Sequence, residues 1–544
     1  MTLPRLASKA ALAAILILSA CAKRETQAER AAKDGILLLG NKIEPGTLDP
    51  HVSTSVEVFG ICFALFEGLV VPHPSTLEPL PGVAESWDIS PDGLRYTFKL
   101  RKNACWSDAS PLTSTDFVFS WQRLLSPDMA SGNAVLLMDI RGAREYASGK
   151  ADATSLGISA PDAHTLVVEL VRPTPWFLNI LSHPSAAPLP RACIEKTGST
   201  NDRSNGWTRS ADLVGNGPFV MQSWQPYQMM ELRKNPLYWD ADNVALNGLR
   251  FFPIESINTE AMAYRGGQLH VTQAVPISDI PRMKAAADPA LRIAPYLGVY
   301  YYIANTAKPP LDNEKLRQAL SLAIDRKTLA ARLLGDAQSP ANSFTPNGIG
   351  SYLPPAIVRT DTDKARELLA EAGYPGGRGF PTIELLFNTS ENQMKIAEAV
   401  QAMWKQELGI DVQLRNEDFN SYIGSRNRGS FHLARGSWVA DYPSPASFLD
   451  LWRSDAPNNF ARWDDAAYDS CMNQAALAAH TQERNSAYAA AESILLESAC
   501  IIPIYHYNSA RMVSTMVEGW ENNVMDWHPY KFIRLKAGQE NANK

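Results

Sequence analysis

The 544-residue sequence lacks the motifs that mark a metal, nucleotide or hydrolase site. Its nine histidines are scattered, and no HxxxH or HExxH motif occurs. The segment GAREYASGK (142–150) matches a phosphate loop only in its last two letters, and Ala151 stands where the Ser or Thr that binds Mg²⁺ belongs. No GxSxG motif lies near the end of a predicted strand. We therefore expect no metal, no cofactor and no catalysis, with a hydrolase whose triad is assembled only in space as a lower-ranked alternative.

Cysteine is scarce, and charge of one sign is not concentrated anywhere. None of the six cysteines is close enough to another for a CxxC metal or redox motif. An oxidising compartment would allow one or two disulfides, whose pairing the sequence does not specify. The 51 basic residues face 57 acidic ones and form no basic cluster, so a nucleic-acid partner is not expected.

Long apolar runs are absent beyond the N-terminus. A positively charged start precedes AALAAILIL (10–18), which is too short to span a bilayer as a helix and is typical of a signal peptide. It ends in LSAC, the pattern that precedes lipidation in bacterial lipoproteins; the alternative is an ordinary signal peptide with a cysteine nearby. We predict removal of 1–20, lipidation of Cys21 as a membrane anchor, and a flexible tether at 21–34. The mature protein would then lie in the periplasm, at either the inner or the outer membrane.

Hydrophobic periodicity predicts an α/β protein. LRYTFKLR (94–101) alternates apolar and polar residues as a half-buried strand does, and HTLVVELV (164–171) is a second strand. TIELLF (382–387), a helix that ends at Gly409, and IDVQL (410–414) form a strand–helix–strand unit, the element of a parallel sheet. Four more helices are predicted: 313–335, 361–377, 463–480 and 481–498.

Several stretches together resemble one family, the family-5 solute-binding proteins of bacterial ABC importers, in particular its oligopeptide-binding group. The resemblance is carried by six segments: 80–127, 215–240, 295–311, 316–329, 366–377 and 431–452. It runs from about residue 35 to the C-terminus. One departure is Ala109, where the family usually has Gly.

The resemblance implies a clam-shell of the α/β class, in which two lobes are joined by two crossing strands and a third domain packs on one lobe. Lobe closure over a ligand would be a hinge motion. The crossings are expected just after PYLG (295–298) and near IYHYNSAR (504–511). The implied parts are an N-terminal lobe of 35–66, 191–297 and 509–544, an extra domain of 67–190, and a second lobe of 298–508.

WVADYPSPASFLDLW (438–452) places one carboxylate, Asp441, among aromatic residues, prolines and alanine, and a buried charge needs a partner. The resemblance implies that this partner is the α-ammonium group of a bound peptide, with Trp438 and Tyr442 excluding water. The alternative is a structural Asp that caps a turn.

Two arginines match basic residues that face a peptide's C-terminal carboxylate in the family. These are Arg435 and Arg426, and a guanidinium group suits bidentate carboxylate binding. The alternative for each is a surface salt bridge.

Further positions match cleft-lining residues of the family, and several depart from its pattern. Gln393 stands where an enteric relative has a carboxylate-contacting His, but 390–393 also matches a helix capping box, which favours a structural role. Substitutions at pocket positions mean that side-chain preferences are not carried over, and Gly298 and Val439 replace a disulfide pair. The lining positions are Tyr296, Tyr301, Tyr507, Val56, Asn133, Phe419, Gln393 and Phe460, and Thr54 replaces a pocket Glu.

These observations predict an exported, monomeric lipoprotein that binds short peptides with little sequence preference and delivers them to an ABC permease. Affinity would come from what all peptides share, the backbone and the charged termini, while hydrated pockets accept varied side chains. The alternatives are a binder of murein peptide, nickel or haem with the same fold, and a lipoprotein that senses peptides for signalling.

Overall fold

Three larger sheets organise the computed structural model, which describes residues 25–209, 213–335 and 337–536. The first sheet is mixed, and its strand order is Ile36–Gly40, Gly248–Phe252, Met229–Lys234, Phe219–Gln225. The antiparallel sheet has the order Ala84–Ile89, Arg95–Leu100, Thr165–Glu169, Ile158–Asp162. The six-stranded sheet has the order Ser339–Pro340, Ile501–Met512, Leu291–Ala304, Leu433–Val439, Ile383–Asn388, Val412–Glu417. Two small pairs are Val70–Pro72 with Pro79–Pro81 and Val517–Glu518 with Arg534–Leu535.

Helices cover these sheets, and most of them bury one face. The α-helices are Gln27–Lys33, Val56–Leu65, Ser114–Leu125, Ala143–Ala147, Phe177–Leu181, Arg191–Thr197, Ile257–Arg265, Ile280–Ala285, Glu314–Leu322, Arg326–Leu333, Thr362–Glu371, Glu391–Leu408, Phe419–Arg428, Ala446–Leu449, Ala466–Leu477 and Thr481–Ser498. The short 3₁₀ helices are Gly132–Leu137, Ala153–Ser155, Pro184–Ala186, Trp207–Arg209, Ala241–Asn243, Pro375–Gly377, Asp450–Trp452 and Tyr530–Phe532.

Local sequence patterns explain the strands that the sequence predicted. In Arg95–Leu100 the buried side chains are Tyr96, Phe98 and Leu100, as the alternation requires. The strand–helix–strand unit is confirmed, because Ile383–Asn388 pairs in parallel with Val412–Glu417 across the helix between them. The α/β class is therefore confirmed.

Two long strands cross between the first sheet and the six-stranded sheet. Leu291–Ala304 and Ile501–Met512 pair antiparallel over most of their length, with a register shift between Pro295 and Val299. Just beyond the second strand, Val513 bridges to Val271 and so joins the first sheet. The irregular register lies at the predicted crossing after PYLG, and the two-lobed arrangement with two crossing strands is confirmed.

Three local predictions are wrong. The tether is folded from Gln27, because Thr26 caps a helix whose Ala28, Ala31 and Ala32 are buried. The helix predicted over 313–335 is two helices, because Asp325 caps a second helix that begins at Arg326, and its side chain accepts the N–H of Thr328. The prediction of a capping box at 390–393 is also wrong, since the Ser390 side chain makes no capping hydrogen bond.

The second helix of that pair is anchored by a buried guanidinium group. Arg326 donates from Nε to the carbonyl of Pro503 at 2.6 Å and from Nη1 to that of Ser321 at 3.0 Å. These tertiary bonds turn the chain between the two helices, and helical periodicity alone does not predict such a turn.

Ala109, the residue that departs from the family pattern, has φ of +69°. A side chain in this left-handed region costs about 1 kcal/mol, which a glycine avoids. Its N–H donates to the carbonyl of Trp106 at 2.9 Å, so the turn forms in spite of that cost.

The part of the chain that the structure describes lacks the features of several other site classes. None of its helices is long and apolar enough to cross a membrane. It holds no group of three or more His, Cys, Asp or Glu side chains placed to bind a metal ion. Cys62, Cys105, Cys471 and Cys500 form no disulfide there. Cys21 and the signal peptide lie outside the described residues.

Candidate functional site

The strand Leu433–Val439 positions the charged residues of the site. It lies inside the six-stranded sheet, antiparallel to Leu291–Ala304 on one side and parallel to Ile383–Asn388 on the other. Arg435 is opposite Tyr302 in this ladder, and Asp441 follows just after the strand ends. Six residues of extended chain span about 20 Å, which is therefore the upper limit on the distance between Arg435 and Asp441 along this segment. The segment carries a cation towards one end of the site and an anion towards the other.

Asp441 is a half-buried carboxylate without a partner from the described chain. Its backbone N–H donates to Ser447 Oγ at 3.2 Å, but its side chain makes no hydrogen bond or ion pair with any described residue. Burial raises the pKa of Asp441 to about 6. A capping Asp would accept backbone N–H groups, so the turn-capping interpretation is wrong.

Aromatic side chains lie near this carboxylate, and its charge influences both Tyr296 and Tyr442. The ring of Tyr442 lies parallel to that of Trp176, with centroids 6.4 Å apart. Trp438 has its indole Nε1 buried without a hydrogen-bond acceptor in the described residues. Burial raises the pKa of Tyr296 well above its usual value, and the charges of Asp526 and Asp441 raise it further.

Arg435 is a cation held among tyrosines rather than carboxylates. Its guanidinium carbon lies 5.2 Å from the ring centre of Tyr300, and its Nε is buried with no hydrogen-bond acceptor among the described residues. Burial lowers the pKa of Arg435, but Tyr300, Tyr507 and other nearby tyrosines raise it, and the net shift is upward.

Arg426, on the helix Phe419–Arg428, stacks on the ring of Phe460 with 4.1 Å between the guanidinium carbon and the ring centre. Its Nε is likewise buried without an acceptor in the described chain. Burial raises the pKa of Tyr301, whereas both Arg426 and Arg435 lower it, so the two cations act on one ring. Neither arginine is within 4.0 Å of a described carboxylate oxygen, so the salt-bridge interpretation is wrong for both.

Two glycines let aromatic rings approach the strands of the site. A Cβ at Gly298 would lie 2.7 Å from Cδ2 of Tyr507, and one at Gly436 would lie 2.6 Å from Cε2 of Tyr301. Neither distance leaves room for a side chain. Gly298 is also directly opposite Val439, the geometry expected of two positions that match a disulfide pair in a relative.

The remaining predicted lining residues differ in exposure and in hydrogen bonding. Phe419 and Val56 are 59% and 53% exposed, so each presents an open apolar surface. Asn133 is buried and donates to the carbonyls of Pro50 and Ser53 at 2.9 and 2.8 Å, which gives it a structural role. Gln393 has its Oε1 buried without a donor in the described chain.

Sequence reasoning missed several aromatic neighbours of the charged groups. Tyr300, Tyr422 and Tyr505 influence the pKa of Arg435, and they come from two strands and a helix that are far apart in the sequence. Trp176 reaches Tyr442 from a loop of the antiparallel sheet, and no local signal in the sequence predicts this contact.

Comparisons with known proteins agree with this architecture. A family profile described as "Bacterial extracellular solute-binding proteins, family 5 Middle" matches residues 78–460. The chain is 36% identical to the periplasmic oligopeptide-binding protein OppA of Salmonella typhimurium, over 89% of each chain. It is 37% identical to the periplasmic murein peptide-binding protein MppA of Escherichia coli, again over 89% of each. The solved complex of Haemophilus influenzae OppA with the peptide RPPGFSPFR superposes with a TM-score of 0.77 at 32% identity, covering 92% of this chain and 99% of that one.

Proposed function

Because the chain belongs to the bacterial extracellular solute-binding proteins of family 5, we propose that it binds short peptides through their two charged termini and delivers them to an ABC permease. In this proposal Asp441 binds the α-ammonium group. Arg435 or Arg426 binds the terminal carboxylate, with the choice set by peptide length.

The observation that carries this proposal is the presence of opposite charges that the described chain leaves unpaired. Removing a charge from water costs free energy unless a partner replaces the lost hydration. A peptide zwitterion supplies both partners at once, since its ammonium group donates to Asp441 and its carboxylate accepts from an arginine. A separation of at most about 20 Å along this segment, less the reach of the side chains, suits an extended peptide of about three to five residues.

Uncharged polar atoms support the same proposal. The indole N–H of Trp438 and the side-chain carbonyl of Gln393 are buried without partners in the described chain. A buried donor or acceptor left unpaired costs about 1–3 kcal/mol, and a peptide backbone or bridging water would offset that cost. Such contacts do not depend on peptide sequence, so they agree with broad specificity.

The anchor and the division into parts belong to the same proposal. Cys21 would carry acyl chains, which hold the protein at the membrane because each buried CH₂ group contributes about 0.8 kcal/mol to binding. The proposed lobes are 35–66 with 191–297 and 509–544, and 298–508, and the extra domain is 67–190. The first sheet and the antiparallel sheet each fall within one of these parts. The six-stranded sheet lies in the second lobe except where its two crossing strands, Leu291–Ala304 and Ile501–Met512, continue into the N-terminal lobe, and this supports the boundaries.

Calorimetry with a panel of unrelated tri- to pentapeptides tests the proposed function. We expect dissociation constants within a few orders of magnitude of ~1 μM, or about −8 kcal/mol, for most of the panel. Binding of a single compound only, or of a metal ion or haem but no peptide, would refute the proposal. A murein tripeptide belongs in the panel, because a preference for it of more than a thousandfold would instead favour the function named for MppA.

A further inference from the structure

A loop of the antiparallel sheet reaches the turn that carries Asp441. This loop, 171–176, follows the strand Thr165–Glu169 and precedes the helix Phe177–Leu181. Arg172 donates from Nε to Asp139 Oδ1 at 3.0 Å, and Tyr96 donates its hydroxyl to the carbonyl of Thr174 at 3.3 Å. These bonds fix the loop to its own sheet.

The tip of the loop contacts residues of the neighbouring body, which is built on the six-stranded sheet. Trp176 is only 7% exposed and lies between two tyrosines. The planes of the Trp176 and Tyr442 rings are parallel, with an interplanar angle of 1° and centroids 6.4 Å apart. The Tyr488 ring is tilted by 56° to that of Trp176, again with centroids 6.4 Å apart. Arg172 adds a charge contact, with Nη2 3.9 Å from Asp450 Oδ2.

The contacted segment is the one that places the carboxylate. Tyr442 directly follows Asp441, and its carbonyl accepts the N–H of Ser444 at 2.8 Å. The N–H of Asp441 is fixed in turn by Ser447 Oγ. The neighbouring Ala440 N–H donates to the carbonyl of Leu297 at 2.8 Å, and the Ser447 N–H donates to that of Ser444 at 3.1 Å. None of these four bonds involves the Asp441 carboxylate, so its orientation depends also on what packs against Tyr442 from outside.

We propose that Trp176 and Arg172 are positioning residues, through which the body of the antiparallel sheet holds Asp441 in the orientation that binds a peptide's α-ammonium group. This inference rests on the proposed function of Asp441 and assigns a binding role to a loop outside the two crossing-strand lobes. Neither residue touches the ammonium group. Each acts through the segment 441–450.

The test measures affinity for one free tripeptide and for its N-acetylated form, with each protein variant. The ratio of the two affinities reports the ammonium contact alone. In Trp176→Leu we expect affinity for the free peptide to fall about tenfold, the equivalent of one aromatic contact. Affinity for the acetylated peptide should stay within about twofold, so the ratio falls. Trp176→Phe should restore most of the ratio because its ring can still stack on Tyr442.

Arg172→Gln provides a second variant, since a side chain 30% exposed tolerates replacement if Trp176→Leu does not fold. It should lower the same ratio by a smaller factor. Arg144→Gln is the matched control, because Arg144 contacts the same Asp139 oxygen at 3.9 Å but is 67% exposed and pairs with no other described acid. It should leave the ratio unchanged.

The outcomes separate the two proposals. If wild type discriminates against acetylated peptide but Trp176→Leu and Arg172→Gln keep the full ratio, the positioning role is refuted and the proposed function stands. Equal losses for both peptides would show a purely structural loop and would also refute it. If wild type does not discriminate at all, Asp441 does not bind the ammonium group and both proposals fall.

Discussion

Replacing Asp441 by Asn gives the most direct test of the candidate site, because it keeps the shape of the side chain and removes its charge. In the bound state the carboxylate and the peptide ammonium would form a half-buried ion pair. Breaking such a pair by removing one partner costs about 3–5 kcal/mol, which is two to four decades in dissociation constant at about 1.4 kcal/mol per decade. We expect Asp441→Asn to lose that affinity for free peptides.

The empty protein should respond in the opposite direction. Burial holds the pKa of Asp441 near 6, above the value of a free Asp side chain, so at pH 7 the folded protein carries an unfavourable charge. The folded state gains stability from protonation as the pH falls from about 6 towards 4. A pKa raised to about 6 corresponds to about 2–3 kcal/mol before solvent screening, so Asp441→Asn should raise or leave unchanged the melting temperature of the empty protein at pH 7.

Isothermal titration of free and N-acetylated tripeptide into both proteins completes the cycle. The mutation and the acetylation delete one interaction, so their losses should not add. Glu492→Gln is the control, because Glu492 is a buried carboxylate that already accepts the N–H groups of Phe344 and Thr345 and the hydroxyl of Tyr352. It should leave peptide affinity within about twofold. Additive losses, together with a large drop in the stability of empty Asp441→Asn, would refute the reasoning.

Three further expectations concern the other charged groups and the anchor. Neither Arg435 nor Arg426 has an acidic partner within the described chain. Arg435→Gln should therefore lower the affinity for free tripeptides by one to two decades, at about 1.4 kcal/mol per decade, and barely change the affinity for C-terminally amidated ones. Calorimetry measures both, and equal losses for the two peptides would exclude a carboxylate contact. Peptide affinity should fall about tenfold per pH unit below the Asp441 pKa of about 6, and titrations from pH 5 to 8 should show no such fall in Asp441→Asn. Cys21→Ser should move the protein from the membrane to the soluble periplasmic fraction; an unchanged distribution, with no lipid found by mass spectrometry on the wild type, would contradict the anchor.

Elements defined by local periodicity could be predicted from the sequence. Arg95–Leu100 alternates because one face is buried, and the helix that ends at Gly409 is closed by a residue with φ of +70°. The resemblance also located the crossing strands, which composition alone did not reveal. Predictions failed where tertiary bonds override local preference. At Arg326 the guanidinium group donates to the carbonyl of Pro503, a residue far away in the chain.

The candidate site was predicted only in part, for a physical reason. Sequence identifies Asp441 as a charge in apolar surroundings, but whether a cation of the chain reaches it depends on the placement of every base in three dimensions. The same holds for Arg435, because the tyrosines near it come from two strands and a helix that only the fold brings together. The contact of Trp176 with Tyr442 joins residues 266 positions apart, and no local pattern encodes it.

The contrast between two buried carboxylates shows which structural evidence indicates binding. Burial raises the pKa of both, to about 6 for Asp441 and about 7 for Glu492, so the shift alone does not separate them. Glu492 is fully enclosed, and three donors of its own chain satisfy it, which is the pattern of a structural acid. Asp441 is half-buried, and its carboxylate has no donor in the described chain. The unpaired carboxylate is stabilised only when a cation binds to it. Arg435 on the strand Leu433–Val439 and Arg426 on the helix Phe419–Arg428 likewise lack an acidic partner in the described chain, so an anion is needed as well. A molecule with both charges at its ends, such as an unmodified peptide, meets that condition in one binding event.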